Sequence, residues 1–200
     1  DGETHQGVFD LSFLLEIPNL TVMSPKNRWE MADMVRFAVD FPYPVALRYP
    51  RGEAYEGLKE FRTPIFYGKS EVICRESGIA ILFIGHMSEL ISAKIIEQNE
   101  EIIQRKNLIF LKQIINSRFA KPLDTEMIRD LCRDHQLIVT IEENVLAGGF
   151  GEQVVQYVMQ SGEKTRVRTI GISDDYVEHG NVEVLRKEVG LDQETIVAQI

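Results

Sequence analysis

Leu20-Thr21-Val22-Met23-Ser24-Pro25, continued by Lys26-Asn27-Arg28-Trp29 and closed by Val45-Ala46-Leu47-Arg48-Tyr49-Pro50-Arg51-Gly52, decides the fold class. Residues 20–23 form a short apolar run of strand length. Ser24 can cap a helix and Pro25 suits its first position, while Trp29, Met31, Met34, Val35 and Ala38 recur at helical spacing. Pro42-Tyr43-Pro44 breaks that helix and residues 45–49 resume as a strand. Strand, helix, strand in so short a span predicts a parallel α/β sheet.

The alternation continues downstream. A strand pair is expected at 71–74 and 79–84, a helix over 88–104, a strand at 114–116 and a helix over 124–134. A strand at 137–141, a helix over 150–160, a strand at 167–170 and closing helices from Val182 and Gln193 complete the pattern. Between Gly52 and Gly68 no period is sustained and Pro64 interrupts, which marks a linker. The fold expected is α/β, two three-layer α/β/α units with a mostly parallel sheet in the second. The first unit is expected over 1–53, the linker over 54–68 and the second unit over 69–200.

The 200 residues are enough for proper hydrophobic cores, and 44% hydrophobic with 26% charged residues is ordinary for a globular chain. A net charge of -9 argues against a nucleic-acid footprint and gives no pull toward anionic membranes. The longest apolar runs, near 79–84 and 108–111, are too short to span a bilayer. Cys74 and Cys132 read as small packing groups in a reducing cytoplasm.

Chemistry is expected in two places. Asp1-Gly2-Glu3-Thr4-His5-Gln6-Gly7-Val8-Phe9-Asp10 brackets a Thr-His pair with glycines. Such a loop presents His5 either as a proton-transfer or anion-contacting group or as an exposed loop histidine. Arg48-Tyr49-Pro50-Arg51-Gly52 lies at the carboxyl end of a strand, where open α/β sheets place ligands. One arginine is expected to hold structure and the other to offer its planar fork to phosphate or carboxylate, with surface salt bridges as the alternative. Glu142-Glu143-Asn144 and Gly148-Gly149-Phe150-Gly151 match neither a dinucleotide fingerprint nor a P-loop, so a structural use is favoured over a carboxylate pair or phosphate cradle. Cys132 and His135 lack a second ligand pair, and His86 and His179 read as satisfied or exposed histidines.

Taken together, these motifs, with Met23-Ser24-Pro25, Arg118-Phe119-Ala120-Lys121-Pro122-Leu123-Asp124 and His179-Gly180, resemble the 1-deoxy-D-xylulose-5-phosphate synthase family, thiamine diphosphate enzymes of transketolase type, in order along essentially the whole chain. The resemblance implies the later part of a pyrimidine-binding domain followed by a transketolase-like C-terminal domain. It implies a reaction in which pyruvate loses carbon dioxide and condenses with glyceraldehyde 3-phosphate, with thiamine diphosphate and Mg2+ as cofactors of the full-length homodimer in the cytoplasm. By the same resemblance His5 is the active-site histidine, Asp1 a substrate-binding acid and Arg51 the holder of the acceptor's phosphate. The family's cofactor-activating glutamate and metal motif precede the position of residue 1, which implies a piece that binds no cofactor and is inactive by itself. The chain departs from the family at 26–29 and at His86, both read as surface positions, and over 98–116, where the helix-glycine-strand pattern fits poorly. Competing readings are a transketolase or ketoacid dehydrogenase beta-subunit piece, or a non-catalytic α/β dimerisation module.

Overall fold

A computed structural model describes residues 2–76, 78–92 and 112–200. Asp1 and most of the helix expected over 88–104 lie outside the described residues, as does much of the divergent 98–116 segment.

The chain begins with a 3-10 turn, Glu3–His5, and helix α1, Asp10–Glu16. Strand β1 (Thr21–Met23), helix α2 (Arg28–Asp40) and strand β2 (Val45–Leu47) follow, and β1 and β2 pair in parallel, as the strand-helix-strand pattern requires. Helix α2 starts later than expected. Asn27, not Ser24, caps it by accepting from the Glu30 N–H, and the Ser24 hydroxyl is spent on the Arg48 carbonyl at 2.7 Å. The buried face of α2 carries Glu30 and Met34, while Val35 is exposed.

The second sheet is built from β3 (Glu71–Cys74), β4 (Ile79–Phe83), β5 (Lys112–Asn116), β7 (Leu137–Val145) and β8 (Arg166–Ile172) in the order β3-β5-β4-β7-β8. The strand pair expected at 71–74 and 79–84 does not form. β5 inserts between the two, parallel to β4 and antiparallel to β3, so among the described strands of this sheet β3 is the antiparallel one, at an edge. β4, β5, β7 and β8 are parallel.

Side-chain alternation sorts this sheet's residues into two cores. Ile79, Ile81, Phe83, Val139 and Ile141 pack with Met87 and Ile91 of α3 (Met87–Ser92) and with Leu185, Leu191 and Ile196 around α6 (Val182–Glu188) and α7 (Gln193–Gln199). Ala80, Leu82, Ile84 and Ile138 face Leu11 and Leu15 of α1, Ile128 and Leu131 of α4 (Thr125–Asp134), and Val154 and Val158 of α5 (Phe150–Gln160). The result is the expected three-layer α/β/α arrangement with helices on both faces.

The first sheet is less self-contained than a bare strand-helix-strand unit. Its order is β2-β1-β6, and the third strand, β6 (Phe119–Lys121), comes from beyond the second sheet's β5 and runs antiparallel to β1. A buried charge cluster lies between the two sheets. Lys26 Nζ contacts Glu30 at 2.8 Å and Glu71 at 2.6 Å, and Arg118 contacts Glu30 and Glu71, each at 2.8 Å. Asn116 also donates to Glu30, and Arg118 donates to the carbonyls of Thr63 and Pro64. Lys26 is only 1% exposed, so the departure at 26–29 begins in the interior and corrects the surface reading. Burial alone would raise the Glu71 carboxyl, but the bond from Lys26 and the Arg118 charge hold it below the usual range. Two cations and two anions, each bonded to the other sign, make burial tolerable where a lone charge would not be.

Among the described residues no helix is long and apolar enough to cross a membrane.

Candidate functional site

The ends of β2 and β7 and the turn before α1 meet at a pocket of about 600 Å³. One wall is His5, Gln6, Gly7, Asp10, Arg48 and Arg51; the other includes Glu143, Val177, Leu185 and Arg186. His5 and Arg51, far apart in the chain, line the same pocket, and both are exposed. Thr4 Oγ1 lies 2.9 Å from His5 Nδ1, so the hydroxyl biases the ring's orientation and leaves Nε2 for other contacts.

The two arginines divide their tasks. Arg48 is half-buried, and its Nη2 donates to the Glu143 carbonyl at 2.7 Å and to the Gly7 carbonyl at 3.3 Å. It thereby ties the His5 loop to the end of β7. Arg51 follows Pro50 and precedes Gly52, whose φ of +113° turns the chain, and it lines the pocket. Asp1, the third residue named from the sequence, lies outside the described residues.

The Glu142-Glu143 pair is partly structural and partly a feature missed from the sequence. Glu142 is fully buried and its carboxylate accepts from the N–H groups of Phe150 at 2.8 Å and Gly151 at 2.7 Å, the first turn of α5. Burial pushes its carboxyl up to about 7, against the pull of those two N–H groups and of Arg48. The glycines of this turn serve close packing, since a Cβ at Gly149 would sit 2.6 Å from Glu142 Oε2 and one at Gly151 2.5 Å from Thr140 Oγ1.

Glu143 points the other way, into the pocket wall. Its carboxylate lies 2.7 Å from His86 Nε2 and 3.2 Å from Arg186 Nε. Burial alone would raise this carboxyl, but His86, Arg186 and Arg48 outweigh it and hold it down at about 2. The His86 contact has ion-pair distance without hydrogen-bond alignment, and the ring's Nδ1 is buried with no hydrogen-bond partner among the described residues. His86 is 4% exposed, which corrects its reading as a surface departure. Nothing in the local sequence marks the trio, because His86, Glu143 and Arg186 come from three separate segments.

The remaining candidates have ordinary uses. His135 sets its ring against the Leu131 carbonyl at 3.2 Å and the Glu76 carbonyl at 3.5 Å, and the Cys132 thiol is raised by burial. His179 is exposed and does not line the pocket, although its neighbour Gly180 does. Among the described residues no group of three or more His, Cys, Asp or Glu is placed to hold a metal ion.

Comparison with known proteins agrees with this architecture. Residues 68–196 match the family model described as "Transketolase, C-terminal domain" and residues 1–56 match "Transketolase, pyrimidine binding domain". A protein of Lachnoclostridium phytofermentans named 1-deoxy-D-xylulose-5-phosphate synthase is 42% identical over 100% of this chain and 31% of its own length. A protein of Heliobacterium modesticaldum with the same name is 41% identical over 96% of this chain and 29% of its own length. The chain thus spans about a third of the curated relatives it matches. Among solved structures, one described as a split gene transketolase, "inactive beta4 tetramer", superposes with a TM-score of 0.84 at 23% identity, over 98% of this chain and 62% of that one. Transketolase from Campylobacter jejuni superposes at 0.72 with 16% identity, over 100% of this chain and 28% of that one. With more than half of its length under the C-terminal domain model, this chain belongs to the transketolase family.

Proposed function

We propose that this chain serves as the carboxy-terminal part of a 1-deoxy-D-xylulose-5-phosphate synthase, which condenses pyruvate with glyceraldehyde 3-phosphate, releases carbon dioxide and feeds isoprenoid precursor, thiamine and pyridoxal biosynthesis. The whole enzyme would be a cytoplasmic homodimer. The observation that carries the reading is that one pocket collects His5 and Arg51, the histidine and arginine that the family resemblance singles out. Support comes from relatives of that name at about 40% identity across the chain.

Thiamine diphosphate and Mg2+ would be cofactors of the whole enzyme, where the thiamine supplies the decarboxylation of the keto acid. Among the described residues no group of three or more His, Cys, Asp or Glu is placed to hold a metal ion, and the proposal assigns no residue here to the cofactors. What the chain contributes is acceptor handling. Arg51 presents a planar fork matched to a phosphate, and Arg48 fixes the loop from which His5 reaches the pocket. His5 would give a proton to the acceptor's aldehyde oxygen as that oxygen gains charge. Asp1 would contribute to substrate binding in the same loop.

The test is turnover of the full-length enzyme carrying this sequence, with pyruvate and glyceraldehyde 3-phosphate, before and after His5→Ala. Carbon dioxide release coupled to 1-deoxy-D-xylulose 5-phosphate formation, falling roughly 10- to 1000-fold in the variant, is the expected result. Turnover confined to a ketose donor would move the protein to the transketolases proper. A wild-type rate in the variant would return His5 to an exposed loop residue.

A further inference from the structure

The loop that carries His5 and the start of α1 are tied to residues 144–147, more than 130 positions further along the chain. Helix α1 has no side-chain cap of its own, because Phe9 stands at its N-cap position. The buried Leu11 N–H in its first turn is instead satisfied by Asn144 Oδ1 at 3.0 Å. The Asn144 Nδ2 group donates to Ser12 Oγ at 2.8 Å and to the Val145 carbonyl at 2.7 Å, and Ser12 Oγ donates to the Ala147 carbonyl at 2.6 Å. The Val145 N–H donates to the Val8 carbonyl at 2.8 Å. Arg48 adds the link from the Glu143 carbonyl to the Gly7 carbonyl. Asn144 is 0% exposed, and its bonds to the Leu11 N–H and the Val145 carbonyl are buried, so water cannot replace those two without opening the interface.

We propose that Asn144, at the end of β7 in the C-terminal domain, is a positioning residue for His5: it caps α1 from outside and so sets where the 3-10 turn Glu3–His5 sits against the pocket. The amide oxygen accepts and the amide nitrogen donates twice, which a purely space-filling residue would not require. The C-terminal domain therefore takes part in the site through this amide, whatever else it does for assembly. The inference rests on the reading of His5 as a site residue, and two readouts keep the two ideas apart.

The first readout is amide hydrogen exchange of the chain. Asn144→Ala should speed exchange of the Leu11 amide about tenfold, as expected for a lost buried cap, while Val154 in α5 keeps its protection. An unchanged Leu11 amide in Asn144→Ala overturns the proposal. If that variant fails to fold, Ser12→Ala, which removes the outer partner of the amide and its bond to the Ala147 carbonyl, should raise Leu11 exchange more than that of Val154; equal rises would overturn it too.

The second readout is a double-mutant cycle in the full-length enzyme. Asn144→Ala should lower kcat about fivefold or more with His5 present and by less than about twofold when His5 is already Ala, with the KM for pyruvate unchanged. The same loss in both backgrounds would mean a merely structural role and overturn the positioning claim. If His5→Ala alone leaves turnover intact, the site reading fails, and the Leu11 amide still decides whether Asn144 holds the loop.

Discussion

Replacing Glu142 by Gln should change the pH dependence of stability between about pH 4.5 and about pH 7. The Glu142 carboxyl is fully buried beneath α5, and burial raises it from an ordinary 4.5 to about 7. The sign follows from proton counting. Between those two values the folded chain holds a proton that the unfolded chain has released, so stability falls as pH rises through the window and is level above it. At 1.36 kcal/mol for each tenfold change, the fall amounts to about 3 kcal/mol. Glutamine has no proton to lose, so its profile lacks this component. Its amide also loses one of the two bonds to the Phe150 and Gly151 N–H groups, a cost that is independent of pH and cancels from the slope. Urea unfolding of both proteins from pH 4 to pH 8, followed by circular dichroism, gives the difference in stability at each pH. The native protein should lose about 3 kcal/mol relative to the variant between pH 4.5 and pH 7. Parallel profiles would show that Glu142 is ionised throughout, with the helix N-terminus outweighing burial.

Other perturbations test other parts of the account. Glu143 works in the opposite sense: its carboxyl is held at about 2, so its stabilisation is present above about 4.5 and lost as pH falls toward 2, and Glu143→Gln should flatten acid unfolding in that range. Arg118→Met leaves Glu30 and Glu71 with Lys26 as their remaining cationic partner among the described residues and should cost about 3–5 kcal/mol by urea unfolding, whereas a cost under about 1 kcal/mol would mean the cluster admits water. Gly151→Ala drives a Cβ against Thr140 and Thr169 and should cost about 1–3 kcal/mol; a neutral result would mean that the helix start shifts freely.

Much of the fold was legible because it is carried by local periodicity. The parallel pairing of β1 with β2 follows from the apolar runs on either side of α2, and the two cores of the second sheet follow from alternation along β4 and β7. What escaped depends on long-range pairing. The insertion of β5 between β3 and β4 is invisible to a local pattern, and an apolar strand beside a glycine reads equally well as one arm of a hairpin. Lys26 read as a surface residue because lysines usually are; its burial is set by Glu71 and Arg118, which only the fold brings near. The site divided in the same way. His5 stands in a glycine-bracketed loop motif and Arg51 in a motif at a strand end, and the geometry gathers both in one pocket. Glu143 was discounted beside Glu142, since adjacent glutamates in a strand look alike until alternation sends one to the α5 N-terminus and the other to His86 and Arg186.

The central claim is that this pocket receives a phosphorylated acceptor through Arg51. The most direct measurement compares kcat/KM for glyceraldehyde 3-phosphate and for unphosphorylated glyceraldehyde in the full-length enzyme carrying this sequence, with Arg51 native and as Arg51→Lys. Losing the bidentate fork while keeping the charge should raise the KM for the phosphorylated acceptor about 10-fold or more, with kcat and the use of glyceraldehyde nearly unchanged. An equal effect on both acceptors, or none on either, would contradict it.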